Sequence, residues 1–167
     1  MEDFIQLKKD NLVRIGIKDQ YGNDTGKKLV FDIQDIELPL RYQDMLERHK
    51  KNINYVEHQF LIINKREDVK GKKLLSKNEE EKIKVLNEFY KRDMEALDLF
   101  LGEGNTQMIL DIMGRKPYWT MFDDIGEALK PITPILEKNL EETDEMIKKK
   151  YALEEEKYAL EEENVIE

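Results

Sequence analysis

Between Tyr42 and Ile63 the apolar side chains return at steps of three and four: Tyr42, Met45, Leu46, His49, Ile53, Val56, Phe60 and Ile63 share one stripe. Glu47, Arg48, Lys50, Lys51 and Glu57 fall off it. That spacing follows the 3.6-residue turn and predicts a long amphipathic helix from about Leu38, with Pro39 tolerated in its first turn, to about Asn64. A second stripe, Ile83, Leu86, Phe89, Tyr90, Met94, Leu97 and Leu101, predicts a second helix of similar length. The charged segment Lys65–Leu75, with Gly71 and little periodicity, is the loop between them. Two such stripes can be buried only against each other or against a partner, which constrains the fold more than any other feature.

The boundaries are marked chemically. Ser76-Lys77-Asn78-Glu79 has capping-box spacing: the Ser76 hydroxyl serves an early backbone N–H and the Glu79 carboxylate reaches back to the cap. Gly102 is placed to stop the second helix. Gly104-Asn105-Thr106 can restart the chain as a short third helix carrying Met108, Ile109 and Ile112, with Gly114 at its end. After Lys116-Pro117, residues Tyr118, Trp119, Phe122, Ile125 and Leu129 mark a fourth helix, closed by Pro131 and Pro134.

Ahead of the helices, Val13, Ile15 and Ile17 alternate with Arg14, Gly16 and Lys18, the period of a half-buried strand. Leu29-Val30-Phe31-Asp32-Ile33 can pair with it, and the turn-forming stretch Asp19–Gly26 lies between. The expected fold is α+β and predominantly α-helical: an N-terminal β-hairpin within residues 1–36, about four helices completing a single domain over 1–136, and an acidic helical extension over 137–167.

That extension is chemically distinct. It carries 12 acidic and 5 basic residues, a net of −7 in a chain whose total is −9, which leaves −2 for residues 1–136. Neither part offers the basic surface that binding nucleic acid needs. Lys150-Tyr-Ala-Leu-Glu-Glu-Glu156 recurs as Lys157-Tyr-Ala-Leu-Glu-Glu-Glu163. The seven-residue period fits either a solvated helical extension or a short coiled coil.

Side chains for chemistry are scarce. Cysteine is absent, and Ser76 is the single serine, already accounted for by the helix cap. The only histidines, His49 and His58, are nine residues apart and fall on nearly opposite faces of one helix. Carboxylates such as Asp123-Asp124 sit in polar runs that leave their acidity ordinary. No catalytic residue, cofactor site or metal site is expected. The N-terminus lacks the basic and apolar regions of a signal peptide, and no apolar run approaches bilayer length, so a cytoplasmic setting is expected. Tyr118, Trp119 and Phe122 form the densest aromatic cluster, as core of the fourth helix or as an interface anchor. Tyr42 and Phe60 are the other candidate partner-binding aromatics.

The order of features then becomes informative. A Val-Arg-Ile-Gly-Ile hairpin leads into Asp35-Ile36-Glu37-Leu38-Pro39-Leu40-Arg41-Tyr42. A later helix ends in Phe100-Leu101-Gly102-Glu103-Gly104-Asn105-Thr106, before an aromatic Phe-Asp-Asp-Ile helix. Over about residues 11–136 the chain resembles the tail assembly chaperones of long-tailed phages and prophages of Gram-positive bacteria. Leu101 and Asn105 depart from that family's Phe-Gly-Glu-Gly-Thr type of junction. The resemblance implies a homo-oligomerising helical protein that coats the tape measure protein during tail morphogenesis and helps recruit tail tube protein. Within the same phage resemblance, the acidic surface also fits a small phage-encoded inhibitor or adaptor that binds a basic site on a host protein.

Overall fold

The computed structural model describes residues 3–7 and 12–165. The parts of the expected hairpin segment and tail that fall on 1–2, 8–11 and 166–167 lie outside them. Strand β1 (Leu12–Lys18) pairs antiparallel with β2 (Asp24–Asp32), Val13 opposite Phe31 and Ile15 opposite Leu29. The register slips between Gly16 and Lys18. The turn is tighter than the expected Asp19–Gly26: Asp19 Oδ1 accepts the backbone N–H groups of Tyr21 and Asn23, both at 2.9 Å, and Gly22 takes a positive φ of 81°. With the turn closed so early, β2 begins at Asp24 and Ile33 falls outside it. Leu29 and Phe31 are buried and Val30 between them is exposed, as strand alternation requires.

Helix α1 (Leu38–Asn64) and helix α2 (Lys77–Leu101) follow as the two stripes predict, with a proline in the first turn of α1. They run antiparallel: Tyr42 near the start of α1 meets Phe100 near the end of α2, and Ile63 near the end of α1 accepts from Asn78 near the start of α2. The Ser76–Glu79 capping box is fully formed. Met45, Val56, Phe89, Leu97 and Phe100 are buried in the core. Each such side chain contributes about 1.5–3 kcal/mol on leaving water. Leu46 and Ile83, assigned to the stripes, are 45% and 44% exposed. Leu46 adjoins buried Met45, and neighbours about 100° apart on a helix cannot both enter a narrow seam.

Gly102 (φ 100°) stops α2, and Gly104 (φ 81°) opens helix α3 (Asn105–Met113). One side chain holds that corner. Asp98 accepts the backbone N–H of Gly104 at 3.0 Å, that of Thr106 at 2.9 Å, and the Thr106 hydroxyl at 2.6 Å. The expected fourth helix starts later than its aromatics suggest. Helix α4 is Met121–Leu129, so Tyr118 and Trp119 lie in the approach to it. Pro131 sits in a 3-10 turn (Lys130–Ile132) and Pro134 near the start of helix α5 (Thr133–Val165), where proline opens a helix and closes none.

The chain divides into two compact units, one ending at Ala128 and the other beginning at Leu129. The first holds the hairpin, α1–α3 and α4 as far as Ala128; the second holds Leu129, the 3-10 turn and α5. No helix among the described residues is long and apolar enough to cross a membrane.

Candidate functional site: an apolar groove between the long helices

A buried polar cluster fixes how α1 and α2 meet. Asp93, 1% exposed, accepts from Asn52 Nδ2 at 2.8 Å and lies 2.9 Å from His49 Nδ1. A carboxylate removed from water needs such partners, and these two bind one register of α2 against α1. The His49 ring also stacks face to face on Phe122 of α4, centroids 3.8 Å apart and planes within 3°. Three residues earlier, Trp119 rests on Phe89 with ring centroids 5.0 Å apart. Trp119 is thereby held against the open flank of the α1–α2 pair.

That flank is a groove of about 670 Å³. Val56, Phe60 and Leu61 of α1 line one wall, Leu86 and Tyr90 of α2 the other, and Trp119 closes one side, with Glu57 and Asn64 as its polar members. Leu61 is 61% exposed and Trp119 47%. Phe60 is half-buried and carries the Lys82 ammonium 5.5 Å from its ring centroid. Burial holds the Tyr90 phenol pKa above its ordinary value. The groove is large enough for a row of side chains, and the apolar character of its lining favours apolar ones.

Of the aromatics singled out from sequence, Phe60 and Trp119 meet here. Phe122 is buried beneath His49, and Tyr42 packs edge-on against Phe100 on the side facing the hairpin. Tyr118 lies under the Arg115 guanidinium, 3.6 Å from its ring centroid. Its hydroxyl is buried with no hydrogen-bond partner among the described residues; burial first, then the Asp124 carboxylate, hold its pKa above the ordinary phenol value. Leu61 and the Asp93–Asn52 pair were not marked by the sequence. Leu61 stands off the stripe, and a polar residue on a helix face gives no sign that it turns inward. Among the described residues no group of three or more His, Cys, Asp or Glu side chains could hold a metal ion. No protein family, curated protein or solved structure matches the chain.

Proposed function

We propose that the chain is an assembly chaperone that holds an amphipathic helix of a client protein in the α1–α2 groove. The observation that carries this reading is the groove itself, whose Leu61 and Trp119 stand open to solvent in the isolated chain. A monomer does not ordinarily leave a concave row of large apolar residues open unless something is received there. An incoming helix would lay side chains at i, i+3 and i+7 along the row from Val56 to Asn64. The resemblance to tail assembly chaperones supplies the client: the tape measure protein, a long helical chain whose apolar faces need cover until the tube forms. On this reading the protein acts in the cytoplasm of an infected or lysogenic bacterium.

Trp119 is the only tryptophan and so reports on the groove directly. Titration with a twenty-residue amphipathic peptide from the tape measure protein should shift its emission to the blue, and Leu61→Asp should remove the shift. A spectrum unchanged up to several hundred micromolar peptide would reject the groove as the client site.

A further inference from the structure

The groove carries different charge at its two ends. On its α1 wall Glu57, Leu61 and Lys65 follow one another at steps of four and form one row: a carboxylate, the open leucine, then an ammonium. Lys65 caps α1 with helical angles (φ −81°, ψ −14°), which carries the row one residue past Asn64. From α2, Lys82 holds its ammonium over the Phe60 ring. Among the described residues no carboxylate pairs with Lys65 or Lys82. Asp68 senses the Lys82 charge, but its carboxylate serves the Asn78 N–H and the Ser76 hydroxyl. Two other acids nearby are committed as well: Glu79 closes the capping box and Glu81 pairs with Arg66 at 2.8 Å. The loop beyond adds Lys70, Lys72, Lys73 and Lys77. Of its remaining acids, Glu67 and Glu80, the latter shares a hollow with Lys72, Lys73 and Lys77. A chain of net charge −9 thus sets uncommitted cations at one end of its apolar groove.

We infer that the groove selects an amphipathic helix whose apolar row ends in an acidic cluster, with those carboxylates set against Lys65 and Lys82. The inference rests on the groove being the client site and adds the chemistry that the client must carry. Charge complementarity identifies this occupant. The apolar lining accepts any helix with a row of large side chains, so it gives affinity with little discrimination. Positive charge at one end adds attraction over distance and a close pair beside the half-buried Phe60, where water screens less. A basic or neutral end would leave Lys65 and Lys82 facing like charge or no charge at all. Glu57 stands at the opposite end, where it opposes a second acidic cluster. The requirement is met by a client running in either chain direction, because it fixes which end of the groove takes the acid.

The test uses the full chain, Trp119 emission and two designed helical peptides without tryptophan. The peptides share one apolar row and differ only at one end, which carries three Glu or three Gln. At low salt the Glu peptide should bind at least about fivefold more tightly than the Gln peptide. Lys65→Glu combined with Lys82→Gln should bring that ratio to one or below. The ratio is the readout, since each peptide's own helicity cancels between the two proteins. Lys84→Glu, an exposed change on α2 away from the groove lining, alters net charge by the same sign and should leave the ratio as it was. Equal binding of the two peptides to the unaltered chain would overturn the inference while leaving the groove as client site. So would a preference that survives in the double variant, or one lost equally in Lys84→Glu. Failure of both peptides to move Trp119 emission would reject the groove itself, and the inference with it.

Discussion

At the scale of single residues, the interior is organised by polar groups as much as by apolar ones. Asp93 is nearly inaccessible and holds Asn52 and His49, each from α1, to the middle of α2. Replacing it with alanine leaves two donors facing an apolar core and opens a small cavity. Asp93→Ala should therefore cost about 2–4 kcal/mol, read as a lower midpoint in urea with an unchanged slope. Leucine at the same site, combined with Asn52→Leu, removes donor and acceptor together and should recover part of that loss. If the double variant is no better than the single one, the cost lies in shape and not in unsatisfied polarity. Thr106 is the second such residue. It is fully buried, and its hydroxyl donates to Asp98 at 2.6 Å. Thr106→Val keeps the shape and deletes the donor, which should cost about 1–2 kcal/mol in the same measurement.

At the scale of elements, the helix ends explain why the chain turns where it does. Asp68, in the loop before α2, accepts the backbone N–H of Asn78 at 3.1 Å. That bond first, and the Ser76 hydroxyl second, hold its pKa below the ordinary carboxylate value of 3.8. A folded-state pKa below the unfolded one gives stabilisation that is present above pH 3.8 and disappears as pH falls through the lower folded value. The Asn78 amide should accordingly lose its protection relative to the intrinsic exchange rate as pH falls below 3.8 and through the lower folded value. In Asp68→Asn it should already be fast at pH 5, and equal protection in the two proteins would separate Asp68 from the cap. Gly102 makes the other corner: its φ of 100° is a conformation that L side chains rarely adopt, and an added Cβ would lie 3.0 Å from Asn105 Nδ2. Gly102→Ala should cost about 1–3 kcal/mol and loosen α3 against α2. These ends were legible in the sequence because each depends on residues within a few positions: Ser76 with Glu79, and the glycines at 102, 104 and 114. The Asp93 cluster was not legible, since its partners lie 41 and 44 positions away and nothing local marks an inward aspartate. The groove was half legible. Its Phe60 and Leu86 stand on the stripes, but only the fold brings Trp119 across to meet them.

At the scale of the whole molecule, the two units are built from different physics, and this governs how the chain should unfold. The first buries Phe89, Leu97, Leu110 and Met121 almost completely around the Asp93 cluster, so its elements stand or fall together. The second contains a 33-residue helix that is exposed nearly all round, with Met146, Tyr151, Leu153, Tyr158 and Leu160 each open to solvent. Such a helix draws its stability from propensity and from i,i+4 pairs, here Lys138–Glu142 at 3.8 Å and Lys148–Asp144 at 2.8 Å. Each exposed pair is worth only a few tenths of a kcal/mol, so α5 should fray progressively from its end. Trp119 reports the first unit alone, whereas far-ultraviolet circular dichroism sums over all helices. At low protein concentration, heating should give a sharp sigmoid in Trp119 emission and a dichroism signal that starts falling well below that midpoint. Salt should deepen the early loss by screening the i,i+4 pairs while moving the Trp119 midpoint little. Superimposable transitions by both probes would mean that α5 unfolds with the first unit as one cooperative body, and the division at Ala128 would then have no energetic counterpart.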